Sequence, residues 1–330
     1  MDTFVEGVLD WSALSSSDLV ELAELRAAVE YFDDPVTRLT FDELVAAFES
    51  PGTDPTRNAI VGRDRVGGNL VAYGWNHPEA TSHPPRVILD GAVHPAWRDQ
   101  KIGHSLAAWQ IGRAQEWAGE LRPRPRQVWI GAFTDDTQSG AQRLFINHGL
   151  APERYYFDMH HVFARVPNPP PPPPVAGIRF CPYAPEHSSE VRQLHNICFS
   201  DNVGFSPVDE PTWDSMQSRA EFRPGWSWLA YDGDLLVGYA LNSADERAWV
   251  EQGFSEGWTD RLGVHPDYRR RGIARGLLSW SMWSFGRAGL EGAGLGIDTD
   301  DAEGAMRLYG SIGYESQEMV VLLSTTLPVA

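Results

Sequence analysis

The chain repeats itself, and a repeat narrows the architectures open to it. Val93-His94-Pro95-Ala96-Trp97-Arg98 corresponds to Val264-His265-Pro266-Asp267-Tyr268-Arg269, an offset of 171 positions that holds without a gap to Trp109 and Trp280. Downstream, Ser139-Gly140-Ala141-Gln142-Arg143-Leu144-Phe145 corresponds to Glu303-Gly304-Ala305-Met306-Arg307-Leu308-Tyr309. Upstream, Leu70-Val71-Ala72-Tyr73 corresponds to Leu236-Val237-Gly238-Tyr239. Three matches in one order describe a duplicated unit. A chain of 330 residues is comfortable for two domains. Between the halves runs Pro167-Asn168-Pro169 through Pro174. Consecutive prolines adopt a stiff polyproline II helix, rising about 3.1 Å per residue, and cannot join a sheet centre. Such a run can also be a ligand for SH3-like domains. Its place between equal halves favours a linker over 167–176, with domains at 1–166 and 177–330.

Apolar periodicity gives each unit alternating helices and strands. In the first, helices are expected at 17–30 and 41–48, with Ser17 and Thr40 as N-caps. Strands follow at 58–62, 69–75 and 87–93, then a central helix at 102–117. A strand at 128–133, a helix at 139–148 and a last strand at 155–165 complete it. The second repeats the series at 189–199, 212–220, 226–231, 235–241, 258–264, 273–286, 295–298 and 304–312, and 319–323 closes its sheet. The fold class is mixed α/β, one central sheet flanked by helices per unit.

The stretch from Asp260 to Leu278 reads as strand, basic glycine-containing turn, helix. Proline at 266 ends the ladder, and helical spacing starts at Ile273. The first N–H groups of a helix have no partner within it, and the helix dipole adds positive potential there. Gly272 lets an anion approach bare main chain, and Arg269, Arg270, Arg271 and Arg275 attract it. The turn is neither a Walker A loop nor a dinucleotide Gly-x-Gly-x-x-Gly. A solvated helix start remains the plainer reading of the spacing alone.

Arg269-x-x-Gly272-x-Ala274 resembles the acetyl-CoA signature of the GNAT superfamily of N-acyltransferases, Arg/Gln-x-x-Gly-x-Gly/Ala. Downstream, Ala305-x-x-Leu308-Tyr309-x-x-x-Gly313-Tyr314 is similar to that family's Ala-x-x-Leu-Tyr-x-x-x-Gly-Phe/Tyr. The resemblance implies two tandem GNAT-like domains using acetyl-CoA. Leu262, Val264, Arg269, Arg270, Arg271, Gly272, Ile273, Ala274 and Ala305 would bind the cofactor. Asp301 stands where the family often has Asn. Tyr309 would protonate the departing sulfur, and a main-chain N–H at Leu262 or Val264 would polarise the acetyl carbonyl.

Acetylating an amine also needs a base, because a free amine has a pKa near about 10. Asp260 and Glu256 are candidates, Asp260 sharing a strand face with Leu262 and Val264 under simple alternation. Each is equally readable as a solvated acid, and His195 and His265 as structural histidines. The second copy is expected to do the chemistry, since the first has Lys101 for Gly272 and Phe145 for Tyr309. An acyl-CoA-binding module without turnover stays open.

Composition bounds the partners. A formal charge of −18 and a pI near 4.9 argue against nucleic acid and give some weight to a cationic small-molecule amine as acceptor. Without an apolar run or leader-like N-terminus, no membrane partner and a cytoplasmic location are expected. Cys181 and Cys198 match no metal spacing. Five tryptophans, Trp213, Trp226, Trp228, Trp249 and Trp258, crowd the segment that would line an acceptor cleft, one or two being expected in the pocket. Two units in one chain can form a pseudo-dimer, so a monomer and a homodimer both remain open.

Overall fold

The computed structural model describes residues 9–35, 38–50, 54–163, 171–200, 207–299 and 302–329. It divides into two compact units, Met1–Tyr156 with Glu318–Ala330, and Phe157–Gln317.

Unit 1 begins with β1 (Leu9–Ala13), α1 (Leu19–Asp33), α2 (Phe41–Glu49) and α3 (Pro55–Asn58). Then come β2 (Ala59–Asp64), β3 (Leu70–Glu79), β4 (Arg86–Val93), α4 (Ile102–Glu120), β5 (Gln127–Asp135) and α5 (Ser139–Asn147). Strand β6 (Ala151–Val162) runs on into unit 2. There follow β7 (Arg179–Pro182), α6 (Ser188–Phe199), α7 (Glu210–Gln217), β8 (Trp228–Asp232), β9 (Leu235–Ser243) and α8 (Ala248–Gln252). β10 (Glu256–Val264), α9 (Ile273–Arg287), β11 (Gly292–Thr299), α10 (Ala302–Gly310) and β12 (Glu315–Pro328) complete the chain.

Strand order in unit 1 is β1-β2-β3-β4-β5-β12, and in unit 2 it is β7-β8-β9-β10-β11-β6. β4 to β5 and β10 to β11 are parallel steps at corresponding places in the two units. Both units are therefore the same mixed α/β design, as the repeat implies.

The division departs from the expected 1–166 and 177–330. The last strand of the first repeat serves unit 2, where Phe163 N–H donates to Glu291 O at 2.8 Å beside β11. The last strand of the second repeat serves unit 1, pairing antiparallel with β5 from Val320↔Asp135 to Pro328↔Gln127. It does not close the second sheet as 319–323 was expected to do. The expected linker lies within unit 2. Between β6 and β7 the chain has to cross from one side of that unit's strand order to the other, five strand spacings or about 24 Å. A polyproline segment is well suited to such a span. Pro167–Pro170 lie outside the described residues.

Local chemistry accounts for the helices. Thr40 caps α2 as expected, its hydroxyl accepting the Glu43 N–H at 3.3 Å while Glu43 accepts the Thr40 N–H at 2.8 Å. Ser17 does not cap α1. It lies in a 3-10 turn, and Asp18 takes the cap position. Helix α9 buries Ile273, Leu277, Leu278 and Phe285 against the unit 2 sheet. Each such side chain contributes about 1.5–3 kcal/mol. A buried latch recurs in both copies. Asn76 Nδ2 donates to Gln110 O at 2.8 Å, and Asn242 Nδ2 donates to Ser281 Oγ at 2.8 Å.

The exchange is testable through Leu323, which is fully buried among Val87, Ala114 and Ile130 of unit 1. Leu323→Ala should cost about 2–5 kcal/mol. Hydrogen exchange should quicken in Ile102–Glu120 and Gln127–Asp135 and leave Ile273–Arg287 protected. The opposite pattern would place β12 in the wrong sheet.

Candidate functional site

β10 and β11 pair for only four residues, Glu256–Thr259 against Gly292–Leu295. β10 then stays with β9 as far as Val264↔Gly238, so the two parallel strands part and leave a fork. At the same point the β9 register shifts, Thr259 facing Asn242 and Arg261 facing Leu241, which makes Asp260 the extra residue of a bulge. Main-chain direction follows from the register. His265 N–H donates to Val237 O of β9 at 2.9 Å, so by alternation the Leu262 and Val264 N–H groups point away from β9, toward the open fork.

Beyond the fork the turn is held by its own side chains. His265 Nδ1 accepts the Asp267 N–H at 3.3 Å. Arg269 Nε donates to Val264 O at 3.3 Å, and its Nη2 donates to Cys198 O at 2.7 Å, tying the turn to the end of α6. Gly272 caps α9 at φ 80°, and the first helical bond is Gly276 N–H to Gly272 O at 2.9 Å. The N–H groups of Ile273, Ala274 and Arg275 therefore have no partner within the helix. A Cβ at Gly272 would meet nothing within 4 Å, so the space before these amides is open.

A cavity of about 380 Å³ lies there. Leu262, Val264, Arg269, Arg270, Gly272, Ile273 and Ala274, all among the residues named from the sequence, line it. Arg271 does not line it. Its Nη1 stands 3.6 Å from Asp232 and its guanidinium lies over the Tyr268 ring. Ala305 is also outside the lining, where α10 contributes Leu308 instead. Asp301 lies outside the described residues. Cys198, Phe199, Gly263, Tyr268 and Arg275 complete the wall. The first two were not legible, because nothing in the sequence says that α6 ends over this turn. Burial pushes the Cys198 thiol up to about 11 against the pull of Arg269, so it stays neutral.

The candidate acids separate. Asp260 is not on the side of Leu262 and Val264, because the bulge breaks the alternation. Those two pack on the α9 side with Ile273 and Leu277, whereas Asp260 neighbours Ser243, Arg219 and Glu221. Partial desolvation raises its pKa, while Ser243, Arg219 and Arg261 pull it down. Glu256 is buried and bonded to His160 Nδ1 at 2.9 Å. Gly294 makes this possible, since a Cβ there would stand 2.9 Å from Glu256 Oε2. The bond to Glu256 holds His160 above its usual pKa. His160 was invisible in the sequence, because β6 reaches unit 2 only through the strand exchange.

Tyr309 sits half-buried on α10, its ring edge-on to Tyr314 at 6.3 Å, and burial raises its pKa. The Tyr314 ring is buried, and its hydroxyl has no hydrogen-bond partner among the described residues. His195 is structural. It is buried, bonded through Nδ1 to Tyr239 Oη at 2.6 Å, and desolvation lowers it to about 4. His265 braces the turn. Of the five tryptophans, Trp213 and Trp228 are core, Trp226 packs on Phe285, and Trp249 donates to Glu256 O at 2.9 Å. Trp258 stands half-buried against His160.

Unit 1 provides an internal control. Lys101 holds φ 62° and Asp99 φ 63°, close to Gly272 at 80° and Arg270 at 61°, so its turn keeps the same backbone shape. The difference is the lysine side chain. β3 and β4 pair without a shift from Ala72↔Val93 to Glu79↔Arg86, so β4 carries no bulge where β10 has Asp260.

Residues 224–316 match the acetyltransferase (GNAT) domain family. That match falls within the second unit and spans both the fork and the α9 turn. Over 145 residues the chain is 28% identical to a mycothiol acetyltransferase of Propionibacterium freudenreichii subsp. shermanii, covering 42% of this chain and 38% of the relative. The chain thus spans well under half of that protein. A GCN5-related N-acetyltransferase from Sphaerobacter thermophilus has a similar fold, with a TM-score of 0.64 and 24% identity over 96% of this chain and 95% of that one. A tandem GNAT protein from the clavulanic acid biosynthesis pathway aligns with a TM-score of 0.51 at 13% identity, over 98% of this chain and 99% of that one. The mixed α/β fold expected from the repeat is thus shared, over nearly the whole chain, with solved GNAT structures. No helix among the described residues is long and apolar enough to cross a membrane, and no group of three or more metal-ligating side chains occurs among them.

Two outcomes follow for the GNAT domain. Gly272→Lys should leave the fold intact, since Lys101 tolerates the same left-handed turn, while coenzyme A affinity by calorimetry drops at least about tenfold. Glu256→Gln should lower the His160 titration toward about 6.5, read by NMR. Because His160 is raised in the folded state, the stabilisation from this pair is complete below about pH 6.5 and is lost as pH rises through its folded pKa. The stability gap between wild type and Glu256→Gln should therefore narrow from pH 6 to pH 9.

Proposed function

We propose that the chain is an acetyl-CoA-dependent N-acetyltransferase in which unit 2 acetylates the primary amine of a small molecule by direct transfer. The observation that carries this reading is the cavity along Leu262–Val264 and the α9 start, on a forked strand whose bulge has no counterpart between β3 and β4 of unit 1. The residues fit a coenzyme A tail: open amides at a helix start for a diphosphate, and apolar walls for the pantetheine arm.

Acetyl-CoA supplies an activated acetyl thioester. The amides from Gly272 to Arg275 hold the phosphates, with Arg270 adding charge at the cavity wall. The fork-facing N–H of Leu262 or Val264 stabilises charge developing on the acetyl oxygen. Tyr309 holds a proton at its phenol oxygen for the departing sulfur, and its burial keeps that proton in place at neutral pH. Asp260, raised by desolvation at the bulge, takes the amine proton. Glu256 acts behind His160 as a second acceptor on the same side of β10. The 28% relative, itself a mycothiol acetyltransferase, supports acetyl transfer as the reaction class.

Tyr309→Phe should lower kcat by about 10²–10⁴-fold with acetyl-CoA affinity unchanged, measured as coenzyme A release over a panel of amines. Calorimetry should count one acetyl-CoA per chain. Binding without coenzyme A release from any amine would make the chain a non-catalytic binder, and two equal sites would contradict a silent unit 1.

A further inference from the structure

Arg261 follows the bulge of β10 and faces Leu241 of β9. Its side chain is half-buried, and its hydrogen bond runs from Nη2 to Met216 Sδ on α7 at 3.1 Å. A thioether is a weak acceptor, so this guanidinium keeps most of its hydrogen-bonding capacity. Among the described residues no carboxylate lies within ion-pair distance of it. The charged groups around it are committed elsewhere or set back. Glu221 is shared between Arg219 at 3.7 Å and Arg247 at 3.4 Å, and Asp260 feels the Arg261 charge without bonding it. His195 and Tyr239 face it as neutral groups bonded to each other.

The repeat shows what this position can hold. Arg261 lies opposite Leu241 as Asp90 lies opposite Trp75, and the repeat carries Trp75 onto Leu241 and Asp90 onto Arg261. In unit 1, Asp90 is met by Arg26 at 3.1 Å and by the Tyr73 hydroxyl at 3.1 Å. There the cation and anion both come from the chain. In unit 2 the described residues supply only the cation. By alternation Arg261 shares the side of Gly263, which lines the cavity, about 7 Å along the strand.

We propose that Arg261 anchors an anionic group, a carboxylate or phosphate, borne by the acceptor amine. This rests on the acetyltransferase reading and narrows it to acceptors such as amino acids or aminoalkyl phosphates. The acidic net charge does not oppose it, because a net charge describes the whole surface and an anchor acts over one bond length. A guanidinium and a carboxylate form a bidentate, charge-assisted pair whose geometry a lysine cannot reproduce.

The experiment pairs amines that differ only in the anion: α- and ω-amino acids against their amides, and aminoalkyl phosphates against the matching amino alcohols. In wild type, kcat/KM should favour the anionic member by about 10–100-fold. The carboxylate and phosphate arms show which anion is preferred. Arg261→Met, which preserves the packing of the stem, should abolish the preference by slowing only the anionic partner, and Arg261→Lys should restore part of it. Equal ratios in wild type and Arg261→Met would overturn the proposal. If no amine is turned over, the acetyltransferase reading fails separately. Calorimetry with N-acetyl amino acids and their amides then tests the anchor alone, and equal binding by wild type and Arg261→Met, or no binding to either, overturns it.

Discussion

Two parallel strands that stop pairing after four residues organise unit 2. While β10 and β11 remain bonded, every main-chain group is satisfied by its neighbour, and no ligand could reach the backbone. Once they part after Thr259 and Leu295, the free edge of β10 must find other partners or lie against solvent. The bulge at Asp260 resets which side chains face which layer, and the alternation beyond it turns the Leu262 and Val264 amides into the gap. The turn from His265 to Gly272 then delivers a helix start to the end of the same edge. Fork, amides and helix start are one continuous stretch of main chain, so distortion at the bulge would misplace all three.

The side chains around this stretch divide between holding it and facing what enters. Arg269, conspicuous in the sequence as an anion ligand, uses its Nε and Nη2 on Val264 O and Cys198 O. Its contribution is to fix the turn, while its charge still lies at the cavity wall. The same distinction separates His195 from His160. Desolvation takes the first out of the titrating range, and a buried carboxylate brings the second into it. Electrostatics at such a site comes from pairings at one bond length, which composition cannot report.

Much of the fold was legible because it rests on local and periodic signals. The 171-residue offset located both copies, apolar spacing placed most helices and strands to within a few residues but missed β1, α3, β7 and α8, and Thr40 with Glu43 spelled out a cap. The glycine turn before α9 was legible for the same reason, as a compact segment whose chemistry is mostly main chain. What was hidden depends on contacts between distant segments. Period-two alternation identifies a strand without naming its neighbour, so β6 and β12 read as the last strands of their own halves. A bulge is one residue in one register and leaves no mark on composition, which is why Asp260 was assigned to the wrong side. His160 and Cys198 followed from those two gaps.

Exchange of the last strands also ties each copy's fold to the other half of the sequence. In separate domains, decay of the first cavity would leave a dispensable module. Here unit 2 takes β6 from the first repeat, and with it His160, the partner of Glu256. Unit 1 takes β12, and with it Leu323, from the second. Neither half of the sequence contains all the strands of the unit it begins. Substitutions such as Lys101 for glycine or Phe145 for tyrosine alter only the surface a ligand would meet, and the turn at Lys101 keeps its left-handed shape. Any change that unfolded the first repeat would instead remove a strand from unit 2, so the physical constraint falls on the fold of the first copy more than on the surface of its turn.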